Sequence, residues 1–267
     1  MLEILDQLGR KVSPYPFPPK RIVSLVPSQT ELLFHLGLES EIVGITRFCI
    51  HPGEKVKTKP KVGGTKNVSK EKVLALQPDL VFANKEENTA EVVEELQKFV
   101  PVFVSDVNNI SSALEMIEMV GRITKTSQKA DTLCTDIKQS FSELPNYKPL
   151  RTAYLIWKKP WMAVGGDTYI NGIMALAGFD NAFSQASRYP EITMEQLRDA
   201  NPELVLLSSE PYPFQEKDKK DFELLPNNCL ISIVDGEAFS WYGNRMLQTP
   251  KYLQKLNEQI RINSAVN

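Results

Sequence analysis

Side chains able to hold a charged, planar or metal-bearing ligand gather in a few short stretches, each just after an apolar run, the place where ligands bind in open α/β sheets. Thr46-Arg47-Phe48-Cys49-Ile50-His51-Pro52 offers a guanidinium, an aromatic face, a thiol and an imidazole. Cys49 and His51 have the chemistry of metal ligands, but together they supply at most half of a tetrahedral site, and no second pair at ligand spacing accompanies them. Each also has a plainer reading, Cys49 as a small buried hydrophobe and His51 as a polar loop residue. Asn84-Lys85-Glu86-Glu87-Asn88 suits either a hydrated or cationic ligand, met by Asn84, or an ordinary solvated loop. Trp157-Lys158-Lys159-Pro160-Trp161 sets two of the chain's three tryptophans around a basic turn. Trp161 is the candidate platform for a flat chelate, whereas Trp157 reads equally as the last core residue of a strand. Phe239-Ser240-Trp241-Tyr242-Gly243-Asn244-Arg245 reads as a recognition loop, which makes Trp241, Tyr242 and Arg245 candidate ligand contacts. Arg188 and Tyr189 add a guanidinium and a phenol, and with Arg47 and Arg245 they suit an anionic chelate.

No catalytic constellation accompanies these residues. Of the two histidines, His35 lies in an apolar helical stretch, and Gly63-Gly64-Thr65-Lys66 lacks the glycine spacing of a phosphate loop. The expectation is a binding protein rather than an enzyme.

At 267 residues and 42% apolar content, the chain can bury one large core or two of about 120 residues each. Its 31 basic and 33 acidic residues are closely mixed, for a net charge of −2, which disfavours nucleic acid as a partner. No apolar run reaches the roughly 18 residues that span a bilayer. Met1-Leu2-Glu3-Ile4-Leu5-Asp6 has neither the basic start nor the apolar stretch of a signal peptide, so no export leader is expected from these residues. Cys49, Cys134 and Cys229 are odd in number and widely spaced, which fits a reducing compartment rather than a disulfide framework.

The elements that position the candidates follow from a pattern stated twice. Val68-Ser69-Lys70-Glu71, heading residues 68–83, returns as Ile192-Thr193-Met194-Glu195, heading residues 192–207; Pro78-Asp79-Leu80-Val81 returns as Pro202-Glu203-Leu204-Val205. Ser69 and Thr193 can cap a helix, Glu71 and Glu195 suit its first turn, and the prolines end it before an apolar strand. Around these copies, strands and helices alternate. A proline-rich strap at 12–20 leads into a buried strand at 21–26, a helix closed by Gly37, strands at 42–45, 80–83 and 102–104, and a helix over 89–99. A second lobe opens with a strand at 152–157, then a long loop at 158–168, a helix closed by Gly178, a strand at 231–234 and a helix at 250–260. Between them the pattern is helical, and its later piece, 127–143, is roughly 25 Å long. The expected fold is α/β, with two Rossmann-like lobes carrying mostly parallel sheets at 1–125 and 146–267, joined by a single long connector helix at 126–145.

Arg21-Ile22-Val23-Ser24-Leu25-Val26-Pro27-Ser28-Gln29-Thr30-Glu31-Leu32, with Pro78-Asp79-Leu80-Val81 and the long connector, resembles the class III substrate-binding proteins of ABC importers, which carry cobalamin, siderophores, haem or metal ions. The resemblance runs from about Leu8 to the end. It implies a ligand held in a groove between the lobes and a permease partner met by one glutamate on each lobe, at positions that Glu71 and Glu195 match. It also implies a monomer with no required cofactor, an iron, cobalt or haem chelate as cargo, and a periplasmic or cell-surface location. Thr65 and Asn84 stand where the cobalamin binders have tryptophans, which argues against cobalamin. The lack of a leader leaves a second expectation, a cytoplasmic chelate- or cofactor-handling protein on the same fold with chemistry at Cys49 and His51.

Overall fold

The computed structural model describes residues 4–13, 16–223, 225 and 229–266, the last four by backbone only; residues 1–3 of the segment read for a leader and Pro14 of the strap lie outside the described residues. The chain forms two units, one of Met1–Val107, Ser111–Ile137 and Tyr242–Arg245, the other of Asn108–Ile110, Lys138–Trp241 and Met246–Asn267.

The first unit opens with a small antiparallel pair, β1 (Ile4–Leu5) and β2 (Lys11–Val12). It continues through β3 (Ile22–Ser24), α1 (Pro27–His35), β4 (Ile42–Ile45), α2 (Gly53–Lys57), α3 (Lys70–Ala75), β5 (Leu80–Asn84), α4 (Ala90–Gln97), β6 (Val102–Ser105), α5 (Ile110–Thr124) and α6 (Ser127–Ser142). Its larger sheet has the order β4-β3-β5-β6, every pair parallel. The strands are continuous Val, Ile, Leu and Phe runs because both sheet faces are covered; Val23, Leu25, Val81, Ala83 and Val104 pack with Val73 of α3 and Val93 and Leu96 of α4. The edge strand β6 is dressed by side chains. Asp6 accepts the Val104 N–H at 3.1 Å and pairs with Arg10 at 2.7 Å, while Gln7 accepts the Asp106 N–H at 3.0 Å. Asp6 and Gln7 lie in the turn between β1 and β2.

The helical stretch breaks at Lys125, whose φ is +59°. Gly121 lets α5 and α6 approach, since a Cβ there would lie 2.5 Å from the Ala130 Cβ. The first half of α6 is packed on the first unit rather than free: Ala130, Leu133, Cys134 and Ile137 are buried, and Lys129 Nζ donates to the Leu36 carbonyl at 2.8 Å. The first unit therefore runs through Ile137, beyond the boundary at residue 125 read from the sequence, and regains Tyr242–Arg245 near the end of the chain.

The second unit contains β7 (Leu150–Trp157), β8 (Trp161–Ala163), α7 (Tyr169–Leu176), β9 (Phe179–Asn181), β10 (Glu191–Ile192), α8 (Met194–Asp199), β11 (Leu204–Ser208), a 3-10 turn over Glu216–Phe222, β12 (Leu230–Val234), α9 (Gly236–Ser240) and α10 (Thr249–Val266). The sheet order is β10-β8-β7-β11-β12, with β9 also on β7. β9, β7, β11 and β12 are parallel; β8 runs antiparallel to β7, and β10 pairs antiparallel with β8. The loop expected at 158–168 thus contains a strand: the Lys158-Lys159-Pro160 turn reverses the chain into a hairpin, a step that leaves no periodic signal when the returning strand is three residues long.

The duplication holds at the level of register. Ile22 pairs with Leu80 as Thr152 pairs with Leu204. Gln77 and Asn201, each just before its proline, both take positive φ, +47° and +46°. Arg21 Nε donates to the Leu76 and Gln77 carbonyls, and Arg151 Nε to the Ala200 carbonyl, which satisfies the end of the preceding helix in each copy. The acid after the proline accepts from the opening strand, Asp79 from the Lys20 and Arg21 N–H groups and Glu203 from that of Arg151.

Candidate functional site

Glu71 and Glu195 occupy the same place in the two copies. Ser69 caps α3, its Oγ accepting the Lys72 N–H at 3.3 Å and donating to Glu71 Oε2 at 3.0 Å. Thr193 caps α8 in a full capping box with Gln196. Both glutamates are exposed. A hydrogen bond from its own backbone N–H, helped by the Ser69 hydroxyl and the Lys70 charge, holds the Glu71 carboxyl below the usual range; the Glu195 backbone N–H, Thr193 and Arg198 do the same for Glu195. Each is a fixed, exposed negative charge on a rigid helix start.

In the first unit, the loop after β4 presents Arg47 and Phe48 outward. Phe48 is 48% exposed, with the Arg47 guanidinium 5.0 Å from its ring centroid. The Arg47 N–H donates to the Gly63 carbonyl at 2.8 Å, and Gly64 lies under the pair, where a Cβ would come within 3.2 Å of the Phe48 ring. His51 is half-buried in the same loop. Cys49 is not at the surface: it is 1% exposed, with Sγ 3.1 Å from Thr30 Oγ1 and 3.2 Å from Thr46 Oγ1. Burial raises its thiol pKa, so the expectation of chemistry at Cys49 is corrected, because a reactive thiolate is disfavoured there.

Asn84 is also corrected as a ligand contact. It is buried, its Nδ2 donates to the Ser105 carbonyl at 3.1 Å and Oγ at 3.0 Å, and its Oδ1 accepts the N–H groups of Glu86 and Glu87. The side chain folds the polar loop. Thr65 offers its carbonyl to Asn88 Nδ2 at 2.9 Å.

Tyr242 and Arg245 belong to the first unit, where Gly243, at φ +108°, passes close to Ser28 and Leu32 of α1. Tyr242 is 7% exposed; burial pushes its phenol pKa up and Glu87 adds to the shift, while the side chains of Gln29, Ser28 and Ser105 oppose it. Arg245 forms a two-pronged pair with Glu31, a partner with no local signal in the sequence. The loop read as a recognition surface is here a latch onto α1.

In the second unit, Trp161 is half-buried in an aromatic cluster. It stacks on Phe214 at 6.1 Å and 3°, tilts against Phe222 at 5.1 Å, and lies under Lys158, which is tied to Asp218 and Asp221 at 2.6 Å each. Trp157, read as the core alternative, is the more open ring at 38% exposure, edge-on to Tyr212. The roles of the two tryptophans are thus exchanged relative to the sequence reading, because the hairpin turns Trp161 back over the α8 side of the sheet. Tyr189 is half-buried and Arg188 exposed, and the Arg188 N–H donates to Asp167 Oδ1 at 2.5 Å. Trp241 is 7% exposed, and its indole N–H and the Ser240 hydroxyl both donate to Glu210 Oε1 at 2.8 Å. It is a packed anchor rather than an open platform. Burial raises the Glu210 carboxyl pKa, a setting the sequence does not signal. Among the described residues no group of three or more His, Cys, Asp or Glu could hold a metal ion.

Residues 22–229 match the family described as periplasmic binding protein. A vitamin B12-binding protein of Vibrio parahaemolyticus is 26% identical over 197 residues, covering 72% of this chain and 71% of that one. An uncharacterized ABC transporter substrate-binding lipoprotein of Bacillus subtilis, YvrC, is 30% identical over 200 residues, covering 70% of this chain and 63% of that one. Among solved structures, the apo periplasmic heme-binding protein RhuT from Roseiflexus sp. RS-1 superimposes with a TM-score of 0.78 at 20% identity, covering 92% of this chain and 99% of that one, a likeness of fold. The names of these relatives describe binding proteins.

Proposed function

Because the chain belongs to the periplasmic binding protein family, we propose that it is a solute receptor that holds a metal chelate of corrinoid, haem or ferric-siderophore type, or a metal ion, and hands it to an ABC permease. The relatives named for vitamin B12 and heme, and the one named as an ABC transporter substrate-binding lipoprotein, support this cargo class and partner. The receptor works outside the cytoplasmic membrane as a monomer, performs no catalysis and needs no resident cofactor. Glu71 and Glu195 are its permease contacts.

The observation that carries the ligand reading is the exposed Arg47–Phe48 pair beyond β4. An exposed aromatic ring with a guanidinium over it suits a flat conjugated body that carries carboxylates, with cation–π and stacking contacts of about 1 kcal/mol each. His51, in the same loop, is a further contact. Absorbance and metal analysis of the purified protein, followed by thermal-shift titration with haemin, cyanocobalamin, ferric siderophores and divalent metals, tests the reading. A saturable rise in melting temperature with one chelate, reduced in Phe48→Ala and Arg47→Ala, is the expected result; no shift across the panel overturns it.

A further inference from the structure

The sheet of the second unit ends on β12, which pairs in parallel with β11 along its whole length, from Leu204–Leu230 to Ser208–Val234, with no shift of register. Among the described residues no strand lies on its other side. The Leu230 N–H donates to the Glu203 carbonyl and the Val234 carbonyl accepts the Ser209 N–H, each at 2.9 Å. A parallel ladder engages alternate residues of a strand, so Leu230, Ser232 and Val234 turn their backbone groups toward β11, and those of Ile231 and Ile233 point outward. The two isoleucine side chains lie at the margin of the core that holds Val205, Leu207, Phe222 and Leu225, and they stay half-buried.

The long edges of the first unit are occupied: Asp6 and Gln7 accept the Val104 and Asp106 N–H groups at β6, and Lys61 bridges to Ile45 of β4. β12 has no such cover among the described residues, and it lacks the devices that keep strand edges apart. It carries no charge, no proline and no bulge, only Leu, Ile, Ser, Ile and Val.

The open edge is also complementary to itself. If a second β12 approaches antiparallel about a two-fold axis through Ser232, Ile231 of one copy stands opposite Ile233 of the other. Both are outward-facing residues, so each such pair exchanges two N–H to carbonyl bonds, four in all by this geometry. The isoleucines then meet across the new pair on one face, and Leu230 meets Val234 on the other. No charged side chain of the strand opposes a like charge. A one-residue slip would set outward groups against inward ones, so the register is fixed by the backbone alone.

We propose that β12 is the contact through which two copies of this chain pair, edge to edge and antiparallel about Ser232, to form one sheet across both. The contact is isologous and closed, since pairing consumes the open edge of each copy. It is small: five residues a side, against roughly 20 to 30 at a standard interface. The dimer is therefore weak and forms only where the protein is concentrated, and the working receptor remains monomeric.

Sedimentation equilibrium of the full chain, from micromolar to millimolar concentration, tests the proposal together with a cross-link. Monomer and dimer in reversible exchange are expected. Ile231→Pro removes a donor that β11 does not use, and should weaken the dimer at least tenfold; Ile231→Lys serves the same end if the proline variant does not fold. In a Cys229→Ser background, Ser232→Cys places two thiols across a non-hydrogen-bonded pair, where the Cα separation of about 4.5 Å suits a disulfide. With glutathione disulfide it should form a covalent dimer several-fold faster than Lys57→Cys, a thiol at an exposed site on the other unit. A monomer at every concentration, a dimer that Ile231→Pro and Ile231→Lys leave unchanged, growth beyond the dimer, or equal cross-linking at positions 232 and 57 would overturn the proposal.

Discussion

Arg245 and Glu31 stand 214 residues apart in the chain and meet through two hydrogen bonds, Nε to Oε2 at 3.0 Å and Nη2 to Oε1 at 3.2 Å. Both side chains keep 16 to 18% of their surface in water, so the pair is weakened by screening but not dissolved by it. A double-mutant cycle with Glu31→Gln and Arg245→Met should return a coupling of about 1 kcal/mol in denaturant unfolding. A coupling near zero would mean that Tyr242–Arg245 is held to α1 by packing alone.

Glu210 joins Ser240 and Trp241 through one carboxylate oxygen. Glu210→Ala removes that acceptor and should cost about 1 to 3 kcal/mol. Glu210→Gln keeps an acceptor and removes the charge. Since burial raises the folded-state pKa above its unfolded value, the wild type is relatively strongest at low pH and loses that advantage as pH rises through the raised value. The stability of the wild type minus that of Glu210→Gln should therefore fall with rising pH; a difference independent of pH would contradict the burial argument.

Trp241→Ala is expected to act on folding rather than on ligand affinity. Truncating so deeply buried a ring costs about 3 to 5 kcal/mol. Calorimetry that found an intact melting temperature and weakened chelate binding would restore Trp241 as a ligand contact.

Substituting Glu71 and Glu195 together by Gln should leave chelate binding unchanged and abolish uptake of whichever chelate of the panel stabilises the protein. Both residues are exposed and cap-adjacent, so the loss of helix-dipole stabilisation is small. Normal uptake by the double variant would remove the docking role.

The three cysteines should differ in reactivity. Burial pushes the Cys229 thiol up to about 11, so its alkylation should stay slow near pH 8, well below that of a free thiol, and accelerate toward that value. Its contribution to stability is present below its unfolded pKa of about 9 and is lost as pH rises through about 11. Cys49 and Cys134, both buried, should react only on unfolding. Mass spectrometry of timed alkylation reads all three, and rapid labelling of Cys49 in the native protein would contradict its placement in the core.

Much of the architecture was written locally. Ser69, Thr193, Gly37 and Gly178 each act within a few residues of themselves, so the helices they bound could be placed from spacing alone. The parallel strands were equally legible, because burial on both faces demands unbroken apolar runs. The short antiparallel strands β8 and β10 were not, since two or three residues carry no period. Side-chain roles in the loops were the hardest to read. Asn84 looks the same in sequence whether its amide meets a ligand or folds its own loop, and only the positions of Glu86, Glu87 and Ser105 decide the matter. Arg245 likewise looks like a free cation until the distant Glu31 is brought to it. Trp157 and Trp161 exchanged places because a turn of three residues decides which of them faces the Phe214 and Phe222 rings.

The Asp6 carboxylate and the Gln7 amide occupy hydrogen-bonding positions on β6 that a further strand would otherwise take. A sheet border occupied by side chains offers no template to a stray strand from another molecule. A variant trimmed through Val12 would bare that border, and its hazard would be self-association at high concentration rather than loss of the core. The stretch from Ile4 to Val12 therefore has to stay free to fold against its strand if that border is to remain covered.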